Sequence, residues 1–181
     1  MMAAAFTLGW DLMGTHYDLV LNVGVCGSFR EELRPGTLVN VREEFVADLG
    51  AEYGNEFRSV FETGLVDEDR FPFRNGKLTN PFGFKHDALD QLRQVRGVSV
   101  NTVSGNTDTI ARLKRLYDPD IETMEGAGVF YACIFSEAPF ACVRAVSNYV
   151  GELDRKSWKL KEAIHSLNDW VIPFVKHFVR A

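Results

Sequence analysis

The spacing of apolar and polar positions along the chain predicts a mixture of helices and strands. Apolar residues recur with helical period in five segments, and the last of these is expected to kink at Pro173. The predicted helices cover residues 1–12, 86–96, 109–117, 129–135 and 158–180. The segment 129–135 is apolar nearly all round and has carboxylates just before it, which is typical of a buried helix with acidic residues at its start.

β-Branched and apolar runs predict strands between these helices. The predicted strands cover residues 17–28, 37–41, 98–103 and 140–148, and the second is followed by an acidic segment at 42–44. Strands that alternate with helices are typical of an α/β domain. Because ligand sites in α/β sheets lie at the strand ends, the polar residues that follow each strand are the first candidates for function.

The segment from Gly50 to Pro81 has no sustained period and is rich in Gly, Asp, Asn and Phe. A loop of this length is usually a lid, a binding loop or a contact with a partner. Its phenylalanines are equally compatible with ordinary core positions; they are Phe57, Phe61, Phe71 and Phe73.

Composition narrows the functional class. The chain has 181 residues, 46% of them hydrophobic, and a net charge of −5. This length fits one domain, and the absence of a basic stripe argues against nucleic acid or an anionic membrane as the partner. No apolar run approaches a membrane span, and the first residues lack the pattern of a signal peptide. We therefore expect a cytoplasmic protein that acts on a small molecule.

The three cysteines indicate neither a metal site nor a disulfide. Cys26, Cys133 and Cys142 all lie in apolar segments and lack the spacing of metal ligands or of a CxxC motif. We expect them to be buried, reduced thiols, and we expect no metal and no cofactor.

Three residues near the end of the 140–148 strand and the start of the 129–135 helix are candidates for a site: Glu125, Arg144 and Asn148. An arginine inside an apolar strand must be paired or used, and Glu125 is the nearest predicted partner. Each residue also has an ordinary structural interpretation, as a helix-start charge, a strand-end ion pair or a turn former. Glycine-bearing turns after two other strands, at Gly24–Gly27 and at Ser104–Gly105, expose backbone groups that could bind a ligand or form plain tight turns.

Collinear motifs across most of the chain resemble the nucleoside phosphorylase and nucleosidase superfamily. The matching segments are 21–27, 33–39, 104–105, 124–128 and 143–148. The resemblance implies a three-layer α/β/α fold with a central mixed sheet, and a homo-oligomer. Relatives begin with a strand unit that is absent before Met1 here, so the resemblance also implies a chain that is either truncated or degenerate. Within the superfamily, residues 144–151 with Asp154, Trp158 and Glu162 look most like the futalosine hydrolases of menaquinone biosynthesis.

The resemblance also implies roles for individual residues. Glu125 would accept the ribose hydroxyls, with Met124 packed against the sugar, and Arg144 would hold a water or a phosphate. Main-chain groups of Gly24, Val25 and Cys26 would lie near the same face, and Ser104 and Gly105 would complete the substrate site.

Asn148 bears on the choice of substrate. Relatives that cleave adenine nucleosides carry Asp at this position, and an amide fits an oxopurine such as hypoxanthine better, because it donates and accepts at once. Together with the resemblance to futalosine hydrolases, this favours hydrolysis of futalosine as the function. A purine nucleoside phosphorylase, a methylthioadenosine-type nucleosidase and an inactive nucleoside-binding protein remain open alternatives.

Overall fold

The structure, a computed structural model, describes residues 1–54 and 56–179, in which eight strands and five helices are present. The strands are β1 Val20–Ser28, β2 Leu38–Val46, β3 Gly50–Tyr53, β4 Glu56–Ser59, β5 Leu78–Thr79, β6 Arg93–Ser99, β7 Ile121–Thr123 and β8 Phe140–Tyr149. The helices are α1 Met2–Gly14, α2 Asp87–Asp90, α3 Thr107–Tyr117, α4 Gly126–Phe135 and α5 Leu160–Val179.

Six strands form one mixed sheet in the order β5-β2-β6-β7-β1-β8. Strand β2 also pairs with β8 through residues 38–40, so the five strands β2, β6, β7, β1 and β8 close into a ring. The β1–β8, β2–β6 and β6–β7 pairs are parallel, whereas β1–β7 and β2–β8 are antiparallel. The predicted α/β fold with a central mixed sheet is confirmed.

Strand β8 is buried along nearly its whole length, pairs with both β1 and β2, and is covered by helices on both faces. Its residues Cys142 and Val146 belong to the core beneath α1 and α4, whereas Ala141, Val143 and Ala145 pack towards α5. The two cores place helices on both sides of the sheet and produce the three layers.

Helices α1 and α4 pack closely on one side of the sheet, and Gly128 allows their close approach. A Cβ atom at Gly128 would lie 2.7 Å from the carbonyl oxygen of Met1, closer than a side chain tolerates. The predicted opening helix and the predicted buried helix are both confirmed, with Glu125 immediately before the first residue of α4.

Three predicted boundaries were wrong, and the first is that of the strand expected over 98–103, which overlaps the observed β6 only at Val98 and Ser99. The acidic segment 42–44 lies inside β2, where alternation sends Glu44 into the interior and Glu43 to the other face. The predicted helix over 86–96 is only the short α2, because residues from Arg93 onward form β6. Strand β6 pairs along its length with β2, and this tertiary pairing overrides the local helical pattern.

The segment predicted as a loop from Gly50 to Pro81 contains the β3–β4 hairpin and strand β5. One of its phenylalanines packs against the core, whereas another is exposed as in a loop. Phe73 packs against the main core and stacks edge-on with Phe61, whereas Phe71 is 60% exposed. The segment is thus partly ordinary core.

Helix α5 covers the sheet face that carries Ala141, Val143 and Ala145, and it contains Pro173 within its length. The helix was predicted to extend to Arg180, which lies outside the described residues. Over the described residues, the helices lack the combination of length and apolar character that a membrane span requires.

Candidate active site

A cavity of about 170 Å³ opens where β1, β7 and β8 end and α4 begins. Eleven residues line it: Val25, Cys26, Gly27, Val103, Glu122, Thr123, Met124, Glu125, Ser147, Asn148 and Trp158. Five of the nine site residues predicted from the sequence are among them, namely Val25, Cys26, Met124, Glu125 and Asn148.

Met124 and Glu125 form the short connection between β7 and α4. This connection is held in place because the side chains before it satisfy the first amides of the helix. The Gly126 amide donates to Thr123 Oγ1 at 3.3 Å, and the Ala127 amide donates to Ser99 Oγ at 2.7 Å. The Glu125 carboxylate makes no capping bond, so it is available to a ligand in the cavity.

Asn148 reaches the cavity through an irregularity in β8. The register between β1 and β8 shifts after Cys26, which pairs with Val146, whereas Gly27 pairs with Asn148 and leaves Ser147 as an extra residue. A bulge of this kind changes the face to which the next side chain points. The Ser147 hydroxyl lies 3.1 Å from the Cys26 carbonyl oxygen and 2.7 Å from Asn148 Oδ1, and it therefore fixes both strands at this point.

The glycine-bearing turn predicted at residues 24–27 is the end of β1. Val25 and Cys26 line the cavity, whereas Gly24 lies one step back, opposite Arg144 in β8. Burial raises the pKa of the Cys26 thiol to about 12, so the thiol stays protonated and adds an apolar surface to the cavity wall.

The structure does not place Arg144 beside Glu125, and the predicted pairing of these residues was wrong. Arg144 is buried, and its guanidinium donates to the carbonyl oxygens of Val143 at 3.1 Å and Asn22 at 3.3 Å, and to Asn22 Oδ1. Within the described chain it makes no salt bridge, and it is absent from the cavity lining. Carbonyl groups of β1 and β8 replace the carboxylate that sequence reasoning assigned to it.

Behind the cavity, Glu44 is completely buried. Its carboxylate accepts from Ser99 Oγ at 3.1 Å and from Thr123 Oγ1 at 3.3 Å, the same hydroxyls that hold the start of α4. Burial raises the pKa of Glu44 to about 7, and the charge of Arg144 opposes this shift. Glu44 thus links β2, β6 and β7 beneath the residues that carry Met124 and Glu125.

Ser104 and Gly105 line a neighbouring cavity of about 590 Å³, which shares Val103 with the first. The Ser104 amide donates to Glu122 Oε1 at 3.0 Å, and this hydrogen bond connects the walls of the two cavities. A Cβ atom at Gly105 would lie 2.3 Å from Leu153 Cδ1, so the exposed side chain of Leu153 packs directly over Gly105 and would have to move to admit one.

Sequence reasoning did not assign Glu122 to the site, and it noted Ser147 and Trp158 only as parts of motifs. The short strand β7 made Glu122 hard to recognise, since three residues give no detectable alternation. Over the described residues, no group of three or more His, Cys, Asp or Glu side chains is arranged to hold a metal ion.

Comparison with known proteins identifies the class of protein. The sequence profile of the phosphorylase superfamily matches residues 1–173, and the chain belongs to this superfamily. The curated relatives that it matches include the futalosine hydrolase of Streptomyces coelicolor, 34% identical over 163 residues, and that of Thermus thermophilus, 29% identical over 156 residues. These alignments cover 88% and 83% of this chain, and in both cases 66% of the relative, so the chain spans about two thirds of the relatives' length.

The fold comparison agrees with the family. The native structure of futalosine hydrolase of Helicobacter pylori superposes with a TM-score of 0.74 at 15% identity. The superposition covers 96% of this chain and 74% of that protein. At this level of identity, the similarity shows a shared fold.

Proposed function

We propose that the chain hydrolyses the N-glycosidic bond of a purine nucleoside, with futalosine as substrate and hypoxanthine as the released base, in menaquinone biosynthesis. The observation that supports this proposal best is the presence of Glu125 and Asn148 in one cavity beside the ends of β1 and β8. Both curated relatives described above are futalosine hydrolases, which supports the same substrate.

Glu125 binds the hydroxyl groups of the sugar. An N-glycosidic bond breaks through a sugar with oxocarbenium character, so a carboxylate that accepts its hydroxyls also stabilises the developing positive charge. Met124 lies beside Glu125 and is 37% exposed, which leaves its thioether free to pack against the sugar. Val25 and Cys26 of β1 line the same cavity.

Asn148 recognises the base through a hydrogen bond. Its Oδ1 accepts from Ser147 and its Nδ2 donates one hydrogen to the Tyr149 carbonyl oxygen at 2.9 Å, so the second Nδ2 hydrogen is free for the base. A carbonyl of an oxopurine can accept this hydrogen, whereas the amino group of adenine, itself a donor, cannot. The amide therefore favours a hypoxanthine nucleoside over an adenine nucleoside.

The cavity favours hydrolysis over phosphorolysis. Among the described residues that line it are two carboxylates, Glu122 and Glu125, and neither Lys nor Arg. A bound phosphate needs cationic or several amide donors, and a carboxylate at Glu125 repels it. Arg144 is already held by carbonyl oxygens of Val143 and Asn22. We therefore assign the attacking group to water.

The roles of Gly24, Arg144, Ser104 and Gly105 are secondary in this proposal. Arg144 and Gly24 hold β1 and β8 together behind the cavity, and Ser104 and Gly105 form the wall towards the neighbouring cavity. The neighbouring cavity offers room for the group attached to the ribose.

We also propose a cytoplasmic homo-oligomer. Helix α1 exposes a stripe of large apolar residues at helical spacing, Met2, Phe6, Trp10 and Met13, each at least 70% exposed. Surface patches of this kind mark association sites, and a second copy of the chain is the partner that we expect. Light scattering of the purified chain, compared with Trp10→Glu, tests this: a monomeric wild type contradicts it.

The direct test of function is release of base from futalosine, inosine and methylthioadenosine, measured with and without phosphate. We expect release of hypoxanthine at a rate that phosphate does not change. A rate that depends on phosphate would establish phosphorolysis instead. Binding of nucleoside without any release of base would establish a binding protein.

A further inference from the structure

We propose that Glu122 is the general acid that protonates the departing purine, a role that rests on the proposed nucleosidase function. Glu122 lies in β7, three residues before Glu125, and lines the same cavity as Asn148. The position of Asn148 cannot supply the proton, because an amide does not ionise in this way.

The sheet register places Glu122 and Asn148 on either side of Gly27. Gly27 pairs with Glu122 across the antiparallel β1–β7 ladder and with Asn148 across the parallel β1–β8 ladder. Residues paired in this way point to the same face of a sheet, so the two polar side chains flank a position that has none. A Cβ atom at Gly27 would lie 3.5 Å from Asn148 Nδ2 and 3.1 Å from Val150, and its absence leaves the gap open.

One oxygen of the Glu122 carboxylate has no partner. Oε1 accepts the Ser104 amide at 3.0 Å, whereas Oε2 is buried without a hydrogen bond from any described residue. Glu122 is buried, with a relative exposure of only 6%. A buried polar atom without a partner is costly, and a nitrogen of the bound base would satisfy it if Glu122 carried a proton there.

The surroundings of Glu122 favour the protonated form. Burial raises the pKa of this carboxyl, the nearby charge of Asp48 adds to the rise, and the hydrogen bond from Ser104 opposes it. The other titratable groups that line the cavity are Glu125, at the start of α4, and the Cys26 thiol in β1. None of these is a cation that would favour ionised Glu122.

The proton balance of the step is complete. The bond between the anomeric carbon and the purine nitrogen breaks, and its electron pair moves into the purine ring. The carboxyl proton of Glu122 passes to a nitrogen of the purine, which leaves as the neutral base. Water adds to the anomeric carbon and loses one proton, which restores the carboxyl of Glu122. The net reaction is nucleoside plus water to base plus free sugar.

Glu122→Gln separates this role from a structural one, because the Gln oxygen can still accept the Ser104 amide. The test compares kcat for inosine or futalosine with kcat for p-nitrophenyl β-D-ribofuranoside, whose leaving group departs without protonation. Loss of a general acid should lower kcat for the purine substrate by about a hundredfold or more and leave the nitrophenyl substrate within about threefold. Glu125→Gln should slow both substrates, and Glu31→Gln, at an exposed position, should slow neither.

Two results would overturn the role of Glu122. One is a Glu122→Gln variant with the wild-type rate on the purine substrate, and the other is an equal loss on both substrates, which would make Glu122 a positioning residue. Failure of the wild type to release base from any nucleoside is a different outcome, because it contradicts the proposed function itself.

Binding of hypoxanthine supplies a test that needs no turnover. If protonated Glu122 donates to the base, the affinity of the wild type should fall about tenfold per pH unit above the pKa of Glu122. Glu122→Gln should bind with an affinity independent of pH over the same range. An identical pH dependence in the two proteins would remove Glu122 from contact with the base, whether or not the chain is active.

Discussion

Asn148 Nδ2 donates a hydrogen bond of 2.9 Å to the Tyr149 carbonyl oxygen, and because a carbonyl can only accept, this contact fixes which end of the amide faces the cavity. With Oδ1 held by Ser147 and one hydrogen of Nδ2 bound to Tyr149, the remaining hydrogen is the group that a ligand meets. The amide is therefore oriented before any substrate arrives, and its orientation determines which base it favours.

Asn148→Asp should shift the preference from hypoxanthine nucleosides towards adenine nucleosides. The substitution replaces the free N–H donor with an oxygen, which repels the carbonyl of an oxopurine and accepts from the amino group of adenine. A site that leaves buried polar groups unpaired typically rejects a ligand by about 1–3 kcal/mol. The ratio of kcat/KM for inosine and adenosine measures the shift, and equal losses on both would show that Asn148 only positions the loop.

Glu125→Gln should lower kcat by about a hundredfold or more, the effect typical of a removed electrostatic contact to a transition state. The neutral amide still bonds a hydroxyl but does not stabilise the positive sugar. Because Glu125 makes no capping bond, thermal unfolding should be unchanged. Glu137→Gln, at an exposed position, is the matched control. Unchanged turnover in Glu125→Gln would reduce this residue to a helix-start charge.

Arg144→Lys should destabilise the fold more than a surface Arg→Lys exchange such as Arg115→Lys. The Arg144 guanidinium reaches three oxygens of Val143 and Asn22, and a single ammonium group cannot reproduce this planar geometry. We expect a loss of about 1–3 kcal/mol in the free energy of unfolding, measured by urea titration. A stability equal to that of the wild type would show that only the charge of Arg144 matters.

Glu44 should make stability depend on pH. In the unfolded chain this carboxyl ionises near its usual pKa of 4.5, whereas in the folded protein it stays protonated up to about 7. The folded state thus holds more protons between these values, so the free energy of unfolding should fall as pH rises through this window.

Glu44→Gln should lack this component, because an amide does not titrate. The loss in the wild type relative to the variant is on the order of 3 kcal/mol across the window, measured by urea unfolding at several pH values. Parallel stability curves for the two proteins would show that Glu44 is ionised in the folded state throughout.

The three thiols should resist alkylation in the native protein. Burial raises the pKa of Cys26 and Cys133 to about 12 and that of Cys142 to about 11, so thiolate is scarce at neutral pH. Mass spectrometry after treatment with iodoacetamide should find no adduct without denaturant and three in its presence. Cys26 is only 4% exposed, so its rapid modification in the native protein would mean that the cavity opens more widely in solution than in this structure.

The local pattern was sufficient for the long elements. Helix α4 and strand β8 were predicted nearly at their observed bounds, because long apolar segments bounded by Gly and Pro have few alternatives. Met124, Glu125 and Asn148 were identified from the same two segments, and they do lie in one cavity. The sequence alone also determined the family, since its motifs follow one another in order along the chain.

Tertiary structure decided what depends on pairing between distant strands. Arg144 pairs with Gly24 in β1 and with Val39 in β2, and no local pattern predicts this register. The register brings carbonyl oxygens rather than Glu125 to the guanidinium. The same is true of Glu122, whose place beside Gly27 follows from a two-residue antiparallel contact between β1 and β7. Local sequence sets the period of each element, but the partner of a strand depends on how the whole sheet closes.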